Sequence, residues 1–150
     1  MNRKKTGVRY LNTNYGIKNG RTACYLKFGI CLENIPYIDM LTNCDEFNRF
    51  LNENELEYWS VTDEADNYQL HIIGECVGYT YCSPEDNFDE SLGKKIALTR
   101  AQETAFDMVK EFYGYIENIF LNAANEFDVL GENSYTAKVK CNDHINKLIG

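Results

Sequence analysis

Tyr68-Gln69-Leu70-His71-Ile72-Ile73-Gly74-Glu75-Cys76-Val77-Gly78-Tyr79-Thr80-Tyr81-Cys82 is the stretch on which the fold turns. In an extended chain, side chains alternate between two faces. That puts Leu70, Ile72, Gly74, Cys76, Gly78, Thr80 and Cys82 together, with His71, Ile73, Glu75, Val77, Tyr79 and Tyr81 opposite. The run is therefore expected as one long β-strand, buried on its second face only in part. Gly74 and Gly78 inside a strand predict either a bulge or the close approach of a crossing helix. Just upstream, Asp63-Glu64-Ala65-Asp66-Asn67 is rich in turn formers, and residues 56–62, with Tyr58, Trp59 and Val61, read as the strand it connects. Further upstream, Asn19-Gly20 is a tight-turn signal before a strand over residues 21–32, with a short strand over residues 7–11 ahead of it. After Pro36, the apolar positions Ile35, Ile38, Leu41, Phe47, Phe50 and Leu51 predict one helix, or two short ones broken near Asn43.

Downstream, Ala97, Ala101, Ala105, Met108, Phe112, Ile116 and Ile119 recur at steps of four or three, which is one continuous helical stripe. Asp89, Glu90 and Ser91 stand where acids and short polar side chains satisfy the free N–H groups of a helix start. Helix over residues 89–121 would run about 45–50 Å at 1.5 Å per residue, so a protruding helix or a bend at Gly114 is expected. The tail reads as a strand over residues 134–140 and a short helix over residues 143–149. The pattern as a whole is α+β: an antiparallel sheet of three to five strands packed against one long C-terminal-half helix plus a shorter helix. Residues 1–20 are expected as a basic N-terminal arm and residues 21–150 as a single α+β domain.

The chain has 150 residues, 44% of them hydrophobic and 13% aromatic, which suits a globular domain and excludes wholesale disorder. Its net charge is −8 and its pI about 4.8, against a general nucleic-acid coat. The charges are segregated. Residues 1–31 carry seven cations (Arg3, Lys4, Lys5, Arg9, Lys18, Arg21, Lys27) and no acid, residues 32–93 carry a net −14, and residues 94–150 a net −1. No stretch approaches the ~18 consecutive apolar residues of a membrane span, and the polar run after the basic opening is unlike a signal-peptide core. Six cysteines without an export signal are expected reduced, in the cytoplasm of a bacterial host.

Signatures of catalysis fail one by one. Gly93-Lys94-Lys95 lacks the earlier glycine and the Ser/Thr of a phosphate loop, and neither G-x-S-x-G nor H-E-x-x-H occurs. No CxxC occurs, and His71 and His144 lack zinc-ligand spacing with cysteine. A hydrolase would need Cys82 or another nucleophile to meet one of those histidines, whereas free cysteines are mostly buried hydrophobes. Glu85-Asp86-Asn87-Phe88-Asp89-Glu90 lacks the calcium-loop pattern and reads as a helix start in which Asp89 caps and Phe88 anchors the loop in the core. A metal-dependent nuclease using Asp86 and Asp89 is a distant reading. No catalytic residue, metal or cofactor is assigned.

Two resemblances bear on function. Gly93-Lys94-Lys95-Ile96-Ala97 with Arg100-Ala101, opening a helix after an antiparallel sheet, is similar to the second helix of double-stranded-RNA-binding domains. There, lysines meet phosphates across a groove, which implies Lys94, Lys95 and Arg100 as nucleic-acid contacts. Tyr10 and Tyr15 among the cations of the arm make a second candidate surface. More broadly, Gly78, Cys82, Pro84, Asp86, Phe88, Asp89, Gly93, Ile96, Ala97, Arg100 and Ala101 form a pattern that resembles a stretch of small phage and prophage proteins of low-GC bacteria.

That resemblance implies a genomic context rather than an activity; joined to the net −14 of residues 32–93, it leads to the expectation of a non-enzymatic accessory protein that binds a host macromolecule, an anti-defence inhibitor of the anti-CRISPR kind. Its expected partner is a host defence effector protein with a basic nucleic-acid groove, and carboxylates could occupy that groove. Glu53, Glu55, Glu57, Asp63, Glu64 and Asp66 supply the acidic face, with Tyr58 and Trp59 beside them as anchors. The alternative is a nucleic-acid-binding module. No membrane partner is expected.

Overall fold

The computed structural model describes residues 6–83 and 87–150. The chain divides into two compact units, Met1–Phe112 and Tyr113–Gly150. In the first, β1 (Val8–Lys18) and β2 (Arg21–Glu33) are followed by a 3₁₀ segment (Ile38–Asn43) and α1 (Asp45–Glu53). Then come β3 (Glu57–Thr62), β4 (Tyr68–Tyr81) and the start of α2 (Glu90–Ile149). The fold is α+β, a four-stranded antiparallel sheet in the order β1-β2-β4-β3.

The residues expected as an arm include an edge strand. β1 turns into β2 through only Asn19 and Gly20, both at positive φ (50° and 74°), the backbone that a two-residue hairpin turn requires. β1 pairs with β2 along its length, with one irregularity between Tyr10 and Asn12. Nothing is described of residues 1–5 or of Pro84, Glu85 and Asp86, so the reading of Asp86 as a metal ligand lies outside the described residues.

β2 and β4 form the spine of the sheet, in unbroken register from Arg21↔Tyr81 to Glu33↔Gln69. Gly74 and Gly78 therefore mark no bulge. A Cβ at Gly78 would fall on the Ala97 carbonyl oxygen and the Ala101 amide nitrogen of α2, so the glycine admits a crossing helix. The Cys76 thiol donates to the Ala101 carbonyl at 3.2 Å in the same contact. Ala97, Ala101 and Ala105 are wholly buried, and beyond this tight approach Phe112 fills the wider gap against Phe47 and Phe50 at 6.2 and 6.4 Å between ring centres. Leu26, Phe28, Leu70 and Ile72 from the strands and Leu41 and Leu51 from the helical connection complete the core.

The connection between β2 and β3 is two short helices, broken at Cys44. Asp89 caps α2, accepting from the Leu92 N–H at 3.1 Å, but Phe88 is 42% exposed and does not anchor the loop. The second unit is helical through Ile149, with neither the strand expected over residues 134–140 nor a separate terminal helix. Tyr135, Thr136 and Val139 carry β-propensity there. Helix-forming Ala137, Lys138 and Lys140 and an apolar period of seven residues outweigh it. Among the described residues, no helix is long and apolar enough to cross a membrane.

Candidate functional site

Helices cover one face of the sheet in the first unit. The other face carries a row of chemically rich side chains, and the alternation of β2 and β4 decides which. Tyr25, Lys27, Cys31 and Glu33 of β2 point there, beside His71, Ile73, Glu75 and Tyr79 of β4. Trp59 of β3 pairs with His71, and the two rings lie flat on one another at 3.8 Å with 6° between planes. Cys31 comes to 3.9 Å of His71 Nε2 from the other side, and the Gln69 amide oxygen lies 3.3 Å from the same nitrogen. Gln69 in turn donates to Glu33 at 3.0 Å. Arg9, Leu11 and Ile73, with Cys31, Trp59 and His71 of this cluster, line a shallow hollow of about 210 Å³.

The hollow brings a thiol to an imidazole, the pairing that thiol hydrolases use, but its electrostatics oppose a nucleophile. Burial pushes the Cys31 thiol up, Glu33 pushes it further, and Arg9 only partly offsets them. A nucleophilic cysteine needs the reverse shift. The cluster is suited to binding through a flat aromatic surface, and sequence reading missed it because Cys31 and His71 are forty residues apart. One signal was available: a hairpin centred on Ala65 sets Trp59 opposite His71.

Toward the hairpin end of the same face, Arg21 stacks on Tyr79 at 4.2 Å, and Lys18, Tyr25 and Gly16 complete a hollow of about 340 Å³. Tyr10 and Tyr15 are not interleaved with these cations. The pleat sends them to the helix side, opposite Phe28 and Cys24, while Arg9 and Lys18 pair with Gly29 and Arg21. Lys94 is engaged twice, in an ion pair with Glu90 at 2.9 Å and over the Tyr15 ring at 5.5 Å. Arg100 donates to the Tyr79 carbonyl at 2.7 Å, and Lys95 is exposed one residue along from Lys94. Of these three cations, Lys94 and Arg100 make contacts within the protein itself.

The expected acidic face is divided by the same pleat. β3 is the outer strand, and all six of its residues are exposed. Glu57 and Trp59 share the open face, whereas Tyr58 turns to the helix side and meets Phe47 at 6.1 Å. Glu53 ends α1, and Glu55 holds a left-handed conformation (φ 54°) in the link to β3. Asp63 is consumed by the turn: Oδ1 accepts from the Ala65 and Asn67 N–H groups at 2.9 Å, and Oδ2 from the Asn67 amide at 3.1 Å. Those bonds, led by the Asn67 backbone N–H, hold its carboxyl below the usual range. Glu64 and Asp66 project from the turn, both exposed. Along the β3–β4 hairpin the charged side chains are all acidic, and along β1–β2 they are cationic except for Glu33, so the sheet is basic at one edge and acidic at the other.

Among the described residues no three His, Cys, Asp or Glu side chains gather as a metal site. Comparison of the chain with protein-family models, curated proteins and solved structures returns no match.

Proposed function

We propose that this chain is a non-enzymatic accessory protein of phage or prophage type that binds a host protein, an anti-defence inhibitor whose acidic β3 edge enters a basic groove meant for nucleic acid. One observation carries this reading: an outer strand, exposed along its whole length, that begins with Glu57 and is flanked by Glu53, Glu55, Glu64 and Asp66 with no cation between them. Carboxylates at an open edge attract an Arg/Lys channel over long range, and unpaired backbone groups of β3 offer hydrogen bonds once contact is made. Trp59, 46% exposed and held flat by His71, is the natural anchor.

The test is capture of partners from host lysate by tagged chain, after nuclease digestion, compared with Glu55→Lys/Glu57→Lys/Glu64→Lys. Asp63 is left intact because the turn needs it. The wild-type chain should retain a protein that salt elutes, and the triple variant should bind it roughly tenfold or more weakly. Equal retention by the variant would sink the acidic-edge mechanism.

A second reading has its own observation. Arg21, Lys18, Tyr25 and Tyr79 combine cations with exposed aromatic rings on an open antiparallel face, which is how sheet-based modules stack single-stranded bases. Recovery only of nuclease-sensitive complexes, lost on Tyr79→Ala, would favour it.

A further inference from the structure

Tyr113–Gly150, taken alone, is a helix through Ile149 that holds large apolar side chains in the open. Phe127 is 73% exposed, Leu130 58% and Leu148 72%. Their spacing is a seven-residue repeat. Phe120, Phe127, Ser134, Cys141 and Leu148 occupy one position, and Ala123, Leu130, Ala137 and His144 the position three residues on. A repeat sustained over about four heptads marks a coiled-coil seam, the surface on which one helix packs against another.

We propose that the partner is a second copy of this chain, the two helices running antiparallel and centred near Glu132 and Asn133. Size complementarity is the first argument. In an antiparallel pair the two seam positions face each other, so Phe127 meets Ala137, Leu130 meets Ser134 and Cys141 meets Ala123, a larger side chain against a smaller one in these three central layers, with Phe120 against His144 in the outer one. A parallel pair would set Phe127 against Phe127 and Ala137 against Ala137, crowding one layer and leaving a gap in the other.

Charge is the second. Residues 113–132 carry Glu117, Glu126, Asp128 and Glu132 without a cation, while residues 133–150 carry Lys138, Lys140 and Lys147 against Asp143. Antiparallel pairing lays the acidic half of each helix on the basic half of the other. At the flanking position, Glu126 faces Lys140 of the second copy twice, by symmetry, across a central Asn133 pair. Parallel pairing would put like charges together.

Sedimentation of the full chain tests the stoichiometry, with twice the 17.4 kDa chain mass expected. Leu130→Glu should be monomeric with an unchanged circular dichroism spectrum, because Leu130 is exposed within the unit. Glu126→Lys should weaken the dimer roughly tenfold, and Glu126→Lys/Lys140→Glu should restore it to within about twofold. Direction is read by oxidation and peptide mapping of Ala123→Cys, in which the introduced thiol should link to Cys141 of the other copy. A single 17.4 kDa species up to the solubility limit would overturn the proposal, as would any stoichiometry other than two or a Cys141–Cys141 link in the wild-type chain.

Discussion

At Gly78 the backbones of β4 and α2 come so close that a hydrogen is all the gap admits. A methyl group there has to displace main-chain atoms of Ala97 and Ala101, which no rotamer change relieves. Gly78→Ala should therefore cost roughly 1–3 kcal/mol or more in urea unfolding. Gly114 is the control: it lies inside α2 with nothing within 4 Å of a built Cβ. Gly114→Ala should stabilise by about 1 kcal/mol through helix propensity alone. The spacing of Gly78 in a strand already pointed to a helix crossing, whereas nothing in the sequence told Gly78 from Gly74, which accommodates side chains, Leu56 and Phe28, rather than backbone.

Among the elements, the β3–β4 hairpin depends on one carboxylate. Asp63 accepts three hydrogen bonds within its turn, and its ionised form is favoured by them. A group whose folded pKa is depressed contributes stability above its unfolded pKa and loses it as pH falls through the folded value. Amide exchange of the Ala65 and Asn67 N–H groups should thus quicken relative to the rest of the sheet as pH drops below about 4. Asp63→Ala should show the fast exchange at neutral pH, with Asp63→Asn intermediate because its amide oxygen still accepts. The turn was legible from Asp63 to Asn67 as composition, but the role of Asp63 was not: among six neighbouring acids, only the folded geometry singles out the one that is spent on the backbone.

For the molecule as a whole, the two proposals place partners of different kinds on two surfaces, a cationic protein on the acidic sheet edge and a second copy on the apolar seam of α2. Self-association links stability to concentration, since a species that binds only the folded chain raises the unfolding temperature by mass action. The wild-type melting temperature should rise with chain concentration, and that of Leu130→Glu should not. A flat profile for both would separate the seam from the folding equilibrium.

Sequence alone determined what is written in short-range order. Alternation in residues 68–82, the Asn19-Gly20 turn and the alanine stripe from Ala97 to Ala105 each follow from a local period, so strands, hairpins and the helix were legible with the sheet that joins them. Where local signals conflicted, as at residues 134–140, β-branched and aromatic side chains hid a helix whose seven-residue period emerges only over a longer window. What tertiary structure decided is which side chains meet. Pleating sent Tyr58 away from Trp59 and Tyr10 and Tyr15 away from Arg9 and Lys18, and strand order carried a charge imbalance along the chain to opposite edges of a sheet. The stack of Trp59 on His71, with Cys31 behind it, depends on register between three strands, and register is fixed by the pairing of distant segments rather than by the composition of any one of them.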